Sequence, residues 1–352
     1  MTTRYGMARS VNGLTERGRE QKQTRRVTLV SRESDAACIQ REPAEIASAW
    51  SALATQRQPP SIFLTPEWIA VARAHERSTP ITLAVGGHGV AALAREADGT
   101  ITFAGGQLTD EQDVIAAPGR ERDVASSLAR WIVAQRAPRV RLEYVPEERS
   151  TLDVMSGALA DAGYRVTRAR QTVSPVLALP GDYEAYVRSL GKKERHELRR
   201  KVRRLETAGP ATFRFSTGAE RPATLDRFFA LHRLSRGEKA GFMTQDVERF
   251  FRDIADALAP LDRLRLGVLE FDGAAAAVLF GFALGPVIAL YNAAYDPGLA
   301  SLSVGIVSHA WAIREAIAGG YTTYDLLRGD ERYKYDLGAH DRWLARLDAE
   351  RP

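Results

Sequence analysis

Residues 273–295 read GAAAAVLFGFALGPVIALYNAAY, twenty-three positions without one charged side chain. As a helix the run is nominally long enough to cross a bilayer. Gly285-Pro286 divides it near the middle, and a proline inside a helix removes a hydrogen bond and clashes with the preceding turn. Each half is strand length, and a Gly-Pro pair marks a turn. The stretch therefore reads as two buried strands joined by a tight turn, with no membrane span.

Working outward, LRLGVLEF (264–271) adds a strand that ends in Asp272-Gly273. Downstream come a polar loop, DPGLASLS (296–303), a helix, VGIVSHAWAIREAIAGG (304–320), and a strand, YTTYDLL (321–327). Ile306, Ala310, Ile313 and Ile317 carry the helical spacing, and Gly319-Gly320 supplies the stop. The first half has the same order. ITLAVGGHGVAALAREADGTITFAGG (81–106) gives strands separated by Gly-rich and Asp-Gly turns, RERDVASSLARWIVAQRA (120–137) an amphipathic helix, and PRVRLEYV (138–145) a strand. Before these, RRVTLV (25–30) reads as a first strand, EPAEIASAWSALA (42–54) as a helix with Pro43 in its first turn, and Thr65-Pro66-Glu67 as a helix start. The pattern predicts an α/β protein of the mixed-sheet α+β kind, built from two copies of one unit. Their expected spans are 26–175 and 176–352, behind a basic tail at 1–25.

The chain has 352 residues, 45% apolar and 26% charged, the composition of a soluble globular protein with room for two cores. Cys38 is its one cysteine, which excludes an intramolecular disulfide, fits a reducing compartment and reads as inert packing. The net charge of +5 comes from residues 1–30, where seven Lys and Arg face Glu16 and Glu20; the remainder holds 42 basic and 42 acidic residues. That tail is polar and without a signal-peptide core, so it is expected to be disordered and the protein cytoplasmic. No HxxH, HExxH or CxxC spacing occurs, so no metal site is expected, and GxSxG and Walker patterns are absent.

Four stretches carry candidate chemistry. In DLLRGDERYKYDLG (325–338) an apolar strand ends in Arg328, Asp330, Glu331, Arg332 and Lys334, with Tyr333 and Tyr335 between them. This reads as the wall of an active site, the alternative being a solvated turn. Ser301 or Ser303 can cap the helix that follows the polar loop, with Gly305 in its first turn; free N–H groups and the positive dipole end there suit a pyrophosphate. Residues 186–209 contain nine Lys and Arg around an apolar stripe of Leu198, Val202 and Leu205. They form either a solvated helix or one facing a polyanion such as a nucleotide, a phosphorylated substrate or RNA. The absence of interleaved aromatics argues against single-strand stacking. LHRLSRGEKAGF (231–242) ends a helix in a Gly-flanked loop that exposes Lys239 and His232 where a substrate lid can lie.

Together these stretches resemble the CelD/BcsL-type acetyltransferases within the wider GNAT fold and, more distantly, the Fem-type transferases, which carry two GNAT units in tandem. The carrying residues are LGKKERHELRRKVRRLE (190–206), LHRLSRGEKAGF, LYNAAYDPGLASLSVG (290–305) and YDLLRGDERYKYDLG (324–338), with IFLTPEW (62–68) and GGQLTDEQDV (105–114) fainter matches. The resemblance implies acyl transfer from acetyl-coenzyme A or another acyl-coenzyme A, its pyrophosphate on the backbone of Ser303, Val304 and Gly305. The acceptor implied is an amine or hydroxyl of a small molecule or saccharide. Fem-type relatives imply an alternative donor, aminoacyl-tRNA, and a degenerate pair serving as a binding scaffold is a third reading. Direct transfer needs a base, oxyanion donors and an acid. Glu331 is the first choice of base and Asp296 the second; Tyr335 or Tyr333 can protonate the leaving thiolate. Arg328 offers a planar fork to a carboxylate or phosphate, and Lys334 a point charge.

Overall fold

The computed structural model describes residues 37–234 and 241–352, which belong to one compact unit. The strand expected at 25–30 lies outside them. The first half runs β1 (Cys38–Gln40), α1 (Pro43–Gln56), α2 (Pro66–Ala74), β2 (Thr79–Val85), β3 (Gly89–Arg95), β4 (Ile101–Phe103), β5 (Ile115–Ala116), α3 (Glu121–Ala134), β6 (Arg139–Pro146), α4 (Thr151–Asp161) and β7 (Arg165–Val173). There follow β8 (Val176–Ala178), α5 (Tyr183–Ser189), α6 (Lys192–Ala208), β9 (Ala211–Phe215), α7 (Arg221–Arg233), α8 (Gln245–Leu258), β10 (Leu264–Phe271), β11 (Ala274–Leu284), β12 (Val287–Tyr295), α9 (Val304–Ala318), β13 (Thr323–Asp325), α10 (Arg332–Asp336) and β14 (Trp343–Glu350).

The uncharged run is the hairpin β11–β12, turned at Gly285-Pro286, and every residue of Ala276–Leu284 is buried. Cover on both faces explains why no charge is tolerated there. Proline at the start of α1 and α2 falls where its missing N–H costs nothing, and Thr65 caps α2 through the Trp68 N–H. Two expectations need correction. The strand read at 321–327 is only Thr323–Asp325, and most of the polar loop is a 3₁₀ helix, Pro297–Leu302.

Two mixed sheets result. The first has the order β1-β2-β3-β4-β6-β14-β7, with β5 beside β3; the second has the order β8-β13-β12-β11-β10-β9. Each contains an antiparallel meander, then a helix crossover to a parallel neighbour: β2-β3-β4, α3 and β6 in one, β10-β11-β12, α9 and β13 in the other. The architectural repeat expected from the sequence is therefore present. A ribbon joins the sheets: β7 pairs with β14, and the pairing continues past it through Val176 and His340 into β8. The last strand thus lies in the first sheet, not the second.

Three cores follow from this layering. One lies under α3 and α4 on the first sheet, and another packs α5, α6 and α9 on the second. The third gathers α1, α2, α7 and α8 with β11 and parts of β3 and β12; Trp68 is at its centre, edge-on to Phe63, Phe250, Phe282 and Tyr291. Trp68 Nε1 donates to Thr109 Oγ1 at 2.9 Å, so its one polar atom is satisfied.

Candidate active site

The site arises where two neighbouring strands part. β12 and β13 pair only over Val287–Ala289 and Thr323–Asp325. Beyond Asp325 the chain bonds to the ribbon instead: the Leu326 N–H donates to Pro175 O at 3.0 Å and the Gly329 N–H to Val173 O at 3.0 Å. Residues 290–295 of β12 thereby lose their neighbour on that side. A bulge adds to the opening, because Phe280 faces Asn292 while Gly281 faces Leu290, leaving Tyr291 as the extra residue. Its buried hydroxyl donates to Leu108 O at 2.7 Å, and burial pushes its pKa well up.

The resulting cleft has a volume of about 700 Å³ and runs between β12, the start of α9 and the turn at 326–334. Val307 N–H makes the bond to Ser303 O, so the N–H groups of Val304, Gly305 and Ile306 precede the first intrahelical bond of α9. Ser303, Val304, Gly305 and Ile306 all line the cleft. Ser303 occupies the cap position with φ of 60°, but its hydroxyl does not cap; it accepts from Arg204 of α6. Gly305 packs closely, since a Cβ there would meet the Tyr295 ring at 3.1 Å and the ring would have to give way. Lys201 adds a second α6 cation to the same wall.

The charged stretch that ends β13 divides by role. Glu331 lines the cleft with its side chain 57% exposed, and its carboxylate is 2.9 Å from Lys334 Nζ. Lys334 is 2% exposed and donates to the carbonyls of Leu327, Arg328 and Gly329 at 2.8, 2.7 and 3.0 Å. It pins a turn whose Leu327 and Gly329 have φ of 56° and 110°. Arg328 borders the cleft, but its guanidinium donates to Asp110 Oδ1 at 2.8 Å and to Gln107 O, and lies 4.0 Å from the Tyr144 ring centre. Its fork is therefore occupied by the first half of the chain. Tyr333 lines the cleft, stacked on His309 at 4.8 Å, and burial raises its pKa.

The other expected residues lie elsewhere. Tyr335 is not among the cleft residues; its hydroxyl donates to Asp341 at 2.7 Å, a bond that pushes its pKa up to about 12. Asp296 caps the 3₁₀ helix through the Gly298 N–H at 2.8 Å and is also outside the cleft. His232, expected to be exposed, is fully buried in α7 between the rings of Phe228 and Phe242. Lys239 lies outside the described residues. Among those described, no group of acidic, Cys or His residues is arranged to hold a metal ion, and no helix is long and apolar enough to cross a membrane.

Residues 105–114 run beside β6, where Gln112 N–H donates to Tyr144 O at 3.0 Å, and their outer atoms Leu108 O, Gln107 O and Asp110 hold Tyr291 and Arg328. The first unit thus buttresses the cleft of the second. Behind this contact is a buried ionic chain: Arg57 to Glu111 at 2.6 Å, Glu111 to Arg342 at 2.9 Å and Arg342 to Asp325 at 3.2 Å. Burial opposes ionisation of Glu111, yet Arg57 and Arg342 hold its carboxyl below the usual range; Asp325 is raised by burial against the pull of Arg342. Tyr291, Asn292 and His309 are cleft residues that the sequence did not single out, whereas Lys201 and Arg204 belong to the basic stretch that it did.

Residues 192–335 match the family model of the acetyltransferase (GNAT) domain. No curated protein matches the chain significantly. Among solved structures, FemX is similar with a TM-score of 0.62 at 14% identity, covering 86% of this chain and 95% of that one. A conserved protein of unknown function from Bacteroides thetaiotaomicron gives 0.60 at 12% identity, covering 90% and 100%. The C-terminal domain of a putative lysylphosphatidylglycerol synthetase from Agrobacterium fabrum gives 0.56 at 12%, covering 88% and 92%. The GNAT match falls on the second copy of the repeated sheet order, so the fold is the tandem GNAT-like arrangement expected from the sequence, and the domain match supports an acyltransferase.

Proposed function

We propose that the cleft between β12 and β13 binds an acyl-coenzyme A and that the protein transfers the acyl group to an amine or hydroxyl acceptor. The observation that carries this reading is the convergence, at one end of the cleft, of the three backbone N–H groups that precede the first intrahelical bond of α9, the cleft residue Lys201, and Arg204 bonded to Ser303. Such a set matches a pyrophosphate. The thioester supplies an activated carbonyl. Glu331 is the proposed base, because its carboxylate lies on the cleft wall where an acceptor proton can reach it. Lys334 holds the turn that presents it, and Gly329 leaves room for it, since a Cβ at that position would fall 2.4 Å from Glu331 Oε2. Tyr333, kept protonated by burial, is the nearer of the two tyrosines to serve as proton donor to the leaving thiolate. Arg328 is proposed to hold the acceptor side of the cleft closed through Asp110.

The resemblance to CelD/BcsL-type enzymes directs the first acceptor panel to saccharides. A second donor, aminoacyl-tRNA, is favoured by the exposed cations of α6, among them Lys193 and Arg200. Calorimetry separates the two. Acetyl-coenzyme A is expected to bind one to one, and saturation at 100 times Kd to raise stability by about 2.7 kcal/mol. Gly305→Val should weaken it at least about tenfold, because the new side chain meets Tyr295 and crowds the N–H groups. Absence of heat with any acyl-coenzyme A, alongside binding of charged tRNA, would transfer the case to the second donor.

A further inference from the structure

The cleft has a neighbour on the other face of the second sheet. Where β12, β13 and β8 run together, Val287, Thr323 and Ala178 stand in one row and Ala289, Asp325 and Val176 in the next. These residues form the floor of a separate cavity of about 290 Å³. Ile288 and Tyr324, which alternate with them, belong to the core beneath α9, so the cavity lies on the face turned away from that helix. Residues 59–63 of the first half line it as well, with Phe282 and Leu284 of β11. The charged groups on its wall are paired with one another: Arg342 meets Glu111 at 2.9 Å and Asp325 at 3.2 Å. Ala178, His340 and Asp341 are exposed and mark its mouth.

Only a thin partition divides this cavity from the donor cleft. Leu327 lines both. Tyr291 lines the cleft, and its ring centre is 5.5 Å from that of Phe282 and 6.1 Å from that of Phe63, which line the cavity. β12 and β13 part just beyond Ala289 and Asp325, so the opening of the cleft begins at the edge of the cavity floor. The Glu331 carboxylate and the Leu327 carbonyl share one ammonium, Lys334 Nζ, at 2.9 and 2.8 Å, which sets the proposed base beside the partition. Leu327 has φ of 56°, a region that leucine seldom enters and that costs energy there. Its N–H donates to Asp325 Oδ1 at 2.8 Å, and that bond and Lys334 hold it in place.

We propose that the cavity receives the acyl chain of the donor, and that the protein selects medium-length straight acyl groups over acetyl. The proposal rests on the acyl-coenzyme A reading of the cleft and specifies its substrate. With the pyrophosphate at the start of α9 and the thioester carbon at Glu331, the acyl carbons continue past Leu327, through the parting of the strands, onto apolar walls. An amine or saccharide acceptor fits the cavity poorly, because those walls leave its polar groups unpaired. It also has to present its proton to Glu331, which lines the cleft and not the cavity. At about 290 Å³ the cavity sits at the lower limit of small-molecule sites, about 300–1,000 Å³, which is room for one chain and not for a whole coenzyme. The transfer is the same for every acyl length. The acceptor lone pair attacks the thioester carbon, the carbon–sulfur bond breaks as the carbon–nitrogen or carbon–oxygen bond forms, the acceptor proton passes to Glu331, and the thiolate takes a proton from Tyr333.

The test is calorimetry of acetyl-, hexanoyl- and octanoyl-coenzyme A with the full chain and with the variants Val287→Phe and Ala178→Trp, which fill the cavity from its floor and from its mouth. Ala178 is exposed, so that variant serves even where Val287→Phe does not fold. Each methylene buried in the cavity is expected to tighten binding by up to roughly fourfold. Hexanoyl-coenzyme A should therefore bind at least about tenfold more tightly than acetyl-coenzyme A. The variants should lose that gain while their affinity for acetyl-coenzyme A changes less than about twofold. Equal affinity for the acetyl and hexanoyl forms, or a gain that survives in both variants, overturns the proposal and leaves the acyl-coenzyme A reading standing. A saccharide or amine whose binding is lost in Ala178→Trp while hexanoyl-coenzyme A still binds tightly would give the cavity to the acceptor and overturn it too. If no acyl-coenzyme A binds, the reading of the cleft falls and the proposal with it.

Discussion

Glu331→Gln is expected to keep the fold and coenzyme A binding and to lower turnover by about 100- to 10,000-fold, the usual contribution of a general base. The carboxylate stands on the cleft wall and is 57% exposed, and the amide that replaces it keeps an oxygen that can accept from Lys334 Nζ. Lys334 keeps its three carbonyl acceptors in the variant, and the turn keeps its shape. What changes is the capacity to take a proton. Thiol release from acetyl-coenzyme A across panels of amines and sugars measures the effect once one acceptor gives turnover. Wild-type rates with a good acceptor would remove Glu331 from the reaction, and a solvated turn residue would show that result together with a stability change within about 0.5 kcal/mol. Asp296 is a poorer substitute than the sequence suggested, because its carboxylate caps the 3₁₀ helix outside the cleft.

Lys334→Met should unfold the protein at markedly lower denaturant, with a loss of at least about 1–3 kcal/mol, the cost of leaving a buried acceptor without its donor. Methionine matches the stem but leaves the carbonyls of Leu327, Arg328 and Gly329 without their shared donor. Those carbonyls belong to a turn with two residues at positive φ, so the backbone has no low-cost way to satisfy them elsewhere. Equilibrium denaturation reads the loss directly. A shift of under about 0.5 kcal/mol would mean that the ammonium serves the ligand and not the turn.

The same stretch shows what the sequence could and could not convey. The β11–β12 hairpin was legible because its signal is local: a long uncharged run broken by Gly-Pro has one good solution. The crossover helix α9 was legible for the same reason, in its spacing and its terminal glycines. By contrast, the five charges after β13 look alike in sequence and separate only in space. Lys334 is buried because α10 folds it back over its own turn, and Arg328 is occupied because Asp110, 218 residues earlier, comes to meet it. The parting of β12 and β13 has no local signature. It exists because residues 326–329 bond to Val173 and Pro175, partners set by the ribbon that carries β14 back into the first sheet. His232 illustrates the converse: it lies near a helix end followed by polar residues, and its burial comes from packing against Phe228 and Phe242.

The central claim, that the parting of β12 and β13 is a coenzyme site, is tested most directly by a crystal structure of the full chain with coenzyme A. The account predicts the pyrophosphate on the N–H groups of Val304, Gly305 and Ile306, beside Arg204, with the pantetheine arm running between residues 290–295 and the turn at 326–334 toward Glu331. Coenzyme A bound in a groove between α5, α6 and α9, or against the first sheet with the cleft of β12 and β13 empty, would contradict it.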